Sequence, residues 1–484
     1  MSTARTLTGC ALVAALLIPA TPVFATDGVT PATVTVSLKP GEHHTVTKTV
    51  TTPRILPKPD VYFLADTTGS MTPVLADVRS NAAAILSAVD AGASDPRYGA
   101  GQYKDFPRSA FAYRNDAAIP AADDNGAAAQ AAIAAWTASG GDDAPEANLF
   151  ALHKLVTAAG FRSDSSRIVV WFGDAPGHDP VCSAISGEPT VTEASVTAEL
   201  VAAKVKVIAV STTTGVANGL NGDPTAGAAD YGVCGNPGGT AGQASRIATA
   251  TQGRSFTDVP PGDVSDAILA GLTSLPVTVT PEATCDPGLT ATFDAPSKTV
   301  TSGSTVTFTE TLTLGSGVTS ETPLKCTVSF LLNGQSGGAA FVEQNTVKPI
   351  INHPPVCTAV KADTTELWPP NHKFVTVRLS GATDPDGDAT SLAVTTVTQD
   401  EALDGTGDGD TAPDAARVTG APDQVKLRAE RSGTGDGRVY RVSFTVTDSK
   451  GSTCFGTVTV GVPHDQGHGP AIDTTSVVVN SFGS

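Results

Sequence analysis

Five consecutive apolar residues, Val61-Tyr62-Phe63-Leu64-Ala65, run into Asp66-Thr67-Thr68-Gly69-Ser70-Met71. Apolar residues at helical spacing follow: Val74, Val78, Ala82, Ile85 and Val89. A short run that is apolar on both faces suits a strand of a parallel sheet covered by helices on each side. The strand-loop-helix order then repeats. Further strands are expected at 111–113, 167–172 and 205–210, and helices at 127–136, 145–159, 193–203, 241–250 and 263–272. Pro145 at a helix start and Gly160 past its end fit the usual asymmetry of helix termini. Residues 58–275 are therefore expected to form a doubly wound α/β domain.

The flanking sequence alternates with period two. TVTVSLKPGEHHTVTKTV at 33–50 reads as two strands around a turn at 39–44, and 278–347 contains TVTFTETLTL and CTVSFLL. Two strands alone are at best marginally stable in water. Residues 26–57 and 276–350 are thus expected to pair into one discontinuous β-sandwich with the α/β domain inserted in it. An independent N-terminal hairpin is the alternative. PIINHPPV at 349–356 is a stiff linker. Residues 351–466 alternate again around Gly- and Asp-rich turns and fit an immunoglobulin-like sandwich. The Gly- and Ser-containing stretch 467–484 is expected to be a flexible tail. The predicted fold class is multidomain, α/β plus all-β.

At roughly 150 residues per domain, 484 residues agree with about three domains. With 30 basic and 48 acidic residues the net charge is −18. Nucleic acid is a disfavoured partner, because phosphate binding needs clustered Lys and Arg. Residues 1–25 read as a signal peptide: Arg5, an apolar stretch at 11–18, and Val23-Phe24-Ala25 as a small-x-small cleavage site. Leu7-Thr8-Gly9-Cys10 looks like a lipoprotein box but precedes the apolar stretch. No further span is long and apolar enough for a membrane. The expected location is secreted and extracellular, or associated with the cell envelope.

Of seven cysteines, Cys10 lies in this leader and six remain, in what is then an oxidising compartment. Spacing leaves their pairing open. Nearest-neighbour pairing, Cys182–Cys234, Cys285–Cys326 and Cys357–Cys454, keeps each bridge within one expected domain.

Ligands of open α/β sheets bind at the carboxyl ends of the strands, where Asp66, Thr68 and Ser70 lie. A carboxylate and two hydroxyls at alternate positions offer hard oxygen donors suited to Mg²⁺ or Mn²⁺. A polar turn capping the next helix is the bland alternative. Gly140-Gly141-Asp142-Asp143-Ala144-Pro145-Glu146 and Trp171-Phe172-Gly173-Asp174 bring two more acidic loops to the same rim.

At these residues the chain resembles a von Willebrand factor A-type domain, and more narrowly the metal-binding domain of integrin β subunits. The likeness lies in KPDVYFLADTTGSM, GQYKD, DAPE and the strand ending at Asp174. The flanking sandwich resembles the integrin hybrid domain. The resemblance implies that Asp66, Thr68, Ser70 and Glu146 hold the adhesion-site metal, with Asp174 acting through water. It also implies a neighbouring Ca²⁺ site at Asp105, Asp143 and the Pro145 carbonyl. Gly141 stands where that site has a side-chain ligand. Pro73 and Val74 stand where a third integrin site needs carboxylates, so that site is expected to be missing.

The C-terminal region has acidic clusters at Asp384-Pro385-Asp386-Gly387-Asp388, Asp400-Glu401, Asp404, Asp408, Asp410 and Asp448. The first resembles the DPDGD loops of bacterial immunoglobulin- or cadherin-like modules, where Asp384, Asp386 and Asp388 would ring Ca²⁺; solvated turns are the alternative. Trp368 is expected in the core of this module. Enzyme signals are thin. Gly334-Gln335-Ser336-Gly337-Gly338 fits GxSxG but joins two alternating strands instead of a strand and a helix. Glu42-His43-His44 reads as a hairpin tip, and His178, four residues after Asp174, is too little for a dyad. The expectation is a non-enzymatic, metal-dependent adhesion or ligand-binding protein whose partner, a protein or surface polymer, offers an acidic group. A cell-envelope or matrix structural protein with stabilising Ca²⁺ is the rival, and a secreted hydrolase with accessory domains the weaker third class.

Overall fold

The computed structural model describes residues 26–483 except 108, 142, 229–230, 236–237, 405–406, 408, 410, 468 and 475–476. The expected signal peptide, Asp408 and Asp410 lie outside the described residues. The chain divides into two units between Pro349 and Ile350, within the expected linker.

The first unit opens with three strands, β1 (Gly28–Thr30), β2 (Thr33–Leu38) and β3 (His43–Thr51). β2 and β3 do not form the expected hairpin. β2 pairs in parallel with a strand at Val342–Pro349, and β3 antiparallel with one at Thr305–Leu314, so the turn between them crosses from one sheet to the other. Alternation specifies a strand and its buried face, but not which neighbour it takes. Glu42 at this crossing accepts from the Lys39 amide through Oε2 at 2.8 Å.

The α/β part follows: β4 (Pro59–Asp66), α1 (Thr72–Gly92), β5 (Arg97–Tyr103), β6 (Tyr113–Ala117), α2 (Ala127–Ala135), α3 (Asn148–Ala158), β7 (Ser166–Gly173), α4 (Ser183–Ser186), α5 (Glu193–Ala202), β8 (Val205–Thr212), α6 (Gln243–Ala250), β9 (Arg254–Val259) and α7 (Val264–Leu272). The strand order is β6-β5-β4-β7-β8-β9, parallel throughout except for the edge strand β6. β4 is buried along its whole length, as its apolar run requires. Its side chains alternate between two cores: Val61, Phe63 and Ala65 face one layer, Tyr62 and Leu64 the other. α1 covers the first layer with Val74, Val78, Ala82, Ile85 and Val89, where each larger aliphatic side chain contributes about 1.5–3 kcal/mol on burial. The helix expected from Pro145 begins only at Asn148. Glu146 is held extended instead, its N–H donating to the Pro176 carbonyl at 2.8 Å and its carbonyl accepting from the His178 N–H at 3.0 Å.

The chain then returns to the first two sheets with β10 (Pro276–Cys285), β11 (Leu289–Phe293), β12 (Lys298–Thr301), β13 (Thr305–Leu314), β14 (Leu324–Leu332), β15 (Gln335–Ser336) and β16 (Val342–Pro349). One sheet runs β1-β3-β13-β11, the other β12-β10-β14-β16-β2 with β15 on β14. In β13, Val306, Phe308, Glu310, Leu312 and Leu314 point inward at period two. Phe308 packs 5.8 Å from Phe330 of the other sheet. Beside it lies a buried ionic cluster: Lys48 pairs with Glu343, and its Nζ is 3.5 Å from Glu310 Oε2. Ser336 of the GxSxG sequence pairs with Leu331 in the β14–β15 ladder.

The second unit contains β17 (Lys361–Ala362), β18 (Phe374–Ser380), β19 (Thr390–Gln399), β20 (Ala415–Arg417), β21 (Gln424–Arg428), β22 (Arg438–Asp448), β23 (Thr453–Val462) and β24 (Val479–Asn480). They form two four-stranded sheets, β17-β18-β21-β20 and β23-β22-β19-β24. Two expectations are corrected here. The stretch expected to be a flexible tail supplies β24 on the edge of β19, and Ser481 accepts from the amides of Asp414 and Ala415; backbone pairing holds it where composition suggested fraying. Trp368 is 40% exposed, and the adjacent Leu367 fills the core position. The bridges Cys182–Cys234, Cys285–Cys326 and Cys357–Cys454 are all present.

Candidate metal centre

β4 connects through α1 to β5 on one side, while β7 on its other side leads away toward β8. The carboxyl ends of β4 and β7 thus flank the topological switch point, where open α/β sheets leave a crevice. Asp66 ends β4, and Asp174 follows the last residue of β7.

The loop after β4 folds onto its own carboxylate. Asp66 Oδ1 accepts from the Thr68 N–H at 2.8 Å and from Thr68 Oγ1 at 2.7 Å. The Ser70 hydroxyl lies 3.5 Å from Thr68 Oγ1 and is exposed. Two backbone bonds pin the second acidic loop here: Gly69 N–H to the Gly140 carbonyl at 2.8 Å, and Ser139 N–H to the Thr67 carbonyl at 3.0 Å. Gly141 has φ +92°, and a Cβ there would come within 3.1 Å of both Glu146 Oε1 and Thr68 Cβ. Close approach of the two loops thus explains the glycine at the position where the resembled Ca²⁺ site has a side-chain ligand.

Asp66, Thr68, Ser70, Glu146 and Asp174 therefore meet at one rim. Asp66, Glu146 and Asp174 are buried, and among the described residues Asp66 Oδ2, Glu146 Oε2 and Asp174 Oδ1 have no hydrogen-bond partner. Burial, then the Asp174 charge, pushes Asp66 up to about 7, against the bonds from Thr68 and the charge of Lys104. Burial and the charges of Asp66, Asp105 and Asp174 push Glu146 up to about 11. Clustered carboxylates with unsatisfied oxygens are costly without a cation. Their donor chemistry fits a hard divalent ion.

Two residues here carried no sequence signal of their own. Thr214, beyond β8, donates its hydroxyl to Asp174 Oδ2 at 2.7 Å. Lys104 sends its buried amine to the Thr67 carbonyl and to the Ser139 carbonyl, the latter at 2.6 Å. Both follow from the three-dimensional convergence of loops. STTTG after a buried strand and the Lys of GQYKD are the only traces in the sequence.

Asp105, Asp143 and Pro145 lie next to this rim, but the expected Ca²⁺ shell differs. His178 joins it, its Nε2 at 2.8 Å from Asp105 Oδ1 and 3.5 Å from Asp143 Oδ1. Pro145 is buried immediately before Glu146. A nitrogen donor in place of an oxygen fits Ca²⁺ poorly.

In the second unit, Asp384, Asp386 and Asp388 bring carboxylate oxygens within 4.8 Å of one another. Asp384 Oδ1 accepts from the amides of Asp386 and Asp388 at 2.9 and 3.2 Å, and its Oδ2 has no partner among the described residues. His353 Nδ1 lies 2.9 Å from Asp386, and Lys450 Nζ 3.4 Å from Asp388. Asp400 and Glu401 serve structure instead: Asp400 accepts from the Val439 amide, and Glu401 pairs with Arg438.

A family profile described as integrin beta-like protein A–E, von Willebrand A-like, matches residues 29–302. No curated protein matches the sequence. Among solved structures, von Willebrand factor type A from Catenulispora acidiphila is similar at a TM-score of 0.35 and 10% identity, over 66% of this chain and 71% of that one. Proximal thread matrix protein 1 from the mussel byssus is similar at 0.32 and 11% identity, over 48% of each chain.

Proposed function

Because the chain belongs to the integrin beta-like A–E family of von Willebrand A-type proteins, we propose that it is a secreted, non-enzymatic protein of metal-dependent adhesion or ligand binding. The observation that carries this reading is an oxygen on each of Asp66, Glu146 and Asp174 without a hydrogen-bond partner among the described residues, all by the switch point of one sheet. Asp66, Thr68, Ser70 and Glu146 would hold Mg²⁺ or Mn²⁺, with Asp174 acting through water. The ion would supply a positive centre for an acidic group of a protein or surface polymer, despite the net charge of −18.

The residues themselves do the positioning. Thr68 turns Asp66, the extended segment at Glu146 sets a third carboxylate beside it, and exposed Ser70 keeps the rim open to a partner. In this reading residues 58–275 are an A-type domain set into a hybrid-like sandwich, followed by an immunoglobulin-like module in which Asp384, Asp386 and Asp388 take Ca²⁺. The three disulfides fit an oxidising compartment. No helix among the described residues is long and apolar enough to cross a membrane.

The test is capture of surface ligands by the full chain in EDTA, then with Mg²⁺ or Mn²⁺ restored. Capture that depends on the ion and is lost in Asp66→Ala supports adhesion. Capture indifferent to both leaves the structural reading, in which metals only stiffen the protein.

A further inference from the structure

His178 is aimed by its backbone. Its own N–H is fixed on the Glu146 carbonyl. The preceding Gly177 exchanges two bonds with the buried Gln243 side chain, N–H to Oε1 at 2.7 Å and Nε2 to the carbonyl at 3.1 Å. Asn148 Oδ1 occupies the space where a Cβ on Gly177 would stand. These contacts hold the imidazole against Asp105 and Asp143 with the Phe106 ring 6.4 Å away. The side chains of His178, Asp105 and Asp143 are 2%, 0% and 1% exposed, and one donor atom from each lies within 4.8 Å of the others. This is a built, enclosed cluster, distinct from the Asp66 rim.

Its donor set decides which ion suits it. Ca²⁺ takes six to eight oxygens in a flexible shell. Gly141 offers no side chain here, and an imidazole fills one direction. Two carboxylates and one imidazole are the ligands of borderline transition metals, with Zn²⁺ the commonest. Glu146, in the Asp66 rim, feels the charges of both Asp66 and Asp105, so the two clusters are neighbours. We propose that Asp105, Asp143 and His178 form a second metal site selective for Zn²⁺-class ions over Ca²⁺. The chain then has two neighbouring sites of different chemical hardness.

The site is tested in the full chain carrying Asp66→Ala and Asp384→Asn, stripped with EDTA, so that neither the adhesion rim nor the acidic loop of the second unit contributes and partner binding is not the readout. Calorimetry should show one Zn²⁺ per chain bound roughly a hundredfold tighter than Ca²⁺. Co²⁺ should give the visible absorption of a nitrogen- and oxygen-ligated ion, a measurement that needs no substitution at His178. His178→Gln should remove the Zn²⁺ preference, and His178→Asp, which restores an all-oxygen set, should raise Ca²⁺ affinity above Zn²⁺. Equal or tighter Ca²⁺ binding in the His178 protein overturns the assignment. So does Zn²⁺ affinity unchanged by His178→Gln, which would mean that histidines elsewhere, such as exposed His43 and half-buried His44, bind the ion.

Discussion

Thr214 donates to one oxygen of Asp174 at 2.7 Å and leaves the other, Oδ1, without a partner among the described residues. A carboxylate fixed in this way has its rotamer settled before any ion arrives. Partners that orient a ligand are worth about 10–100-fold in metal affinity. Thr214→Val keeps the shape and removes the donor, so Mg²⁺ affinity should fall within that range while the melting temperature in EDTA changes little. Calorimetry with thermal melting checks both; unchanged affinity would show that Thr214 is only a loop contact.

Asp66→Ala should abolish ligand capture without unfolding the chain, since relief of the repulsion among the buried carboxylates offsets the bonds lost from Thr68. Ser70→Ala should weaken capture less, because water can replace an exposed neutral donor. Glu146→Gln separates an integrin-like site from an ordinary A-type one, which relies less on a carboxylate at that place. An order in which Ser70→Ala is the most damaging substitution would refute this ranking.

The buried Lys48–Glu310–Glu343 cluster carries one surplus negative charge. Burial, then the charge of Glu343, pushes Glu310 up to about 7, partly opposed by Lys48. A carboxyl that holds its proton more tightly when folded stabilises fully below its unfolded value near 4.5, and this contribution is lost as pH rises through about 7. Melting of the first unit should therefore weaken between these limits. Glu310→Gln keeps an acceptor for Asn345 Nδ2, 2.8 Å away, and should flatten the slope. Parallel pH profiles of the two proteins would rule the cluster out as the cause.

Ca²⁺ at Asp384, Asp386 and Asp388 should raise the melting temperature of the second unit in the full chain. The gain is about 2.7 kcal/mol at a hundredfold excess over Kd. Asp384→Asn should remove that gain. If EDTA and Ca²⁺ give the same transition, His353 and Lys450 already neutralise the loops.

The Cys357–Cys454 bridge spans 97 residues. A loop of this size is worth about 4–5 kcal/mol in the chain-entropy account. Cys357→Ser with Cys454→Ser should lower the unfolding midpoint of the second unit and leave the first unit's unchanged, as followed by denaturant titration.

The fully apolar strand β4, the amphipathic helix α1 and the Asp66 loop were legible because burial writes a simple pattern there. β5, RYGAGQY, was not. Its Gly99 and Gly101 give room to the Tyr62 side chain, with Cδ2 only 2.6 Å from where a Gly99 Cβ would stand. Packing thus demanded the residues that least resemble a strand. β9 was missed because most of it is exposed at the sheet edge. Of the rim, Asp66, Glu146 and Asp174 were found, whereas Thr214 and Lys104 reach it only through folding. His178 escaped notice as a partner of Asp105, because 73 residues separate them and no local spacing encodes the contact.

The strands on either side of the α/β segment also settle how the first unit bears load. β2 and β16 run parallel and share a register from Thr33 with Gln344 to Leu38 with Pro349. A pull between Thr33 and Pro349 therefore slides the two strands along each other and strains the rungs together, instead of opening them one by one. The segment from Pro59 to Leu272 hangs outside this line of tension. Under such a load the sandwich would carry the force while the rim at Asp66 stays unloaded.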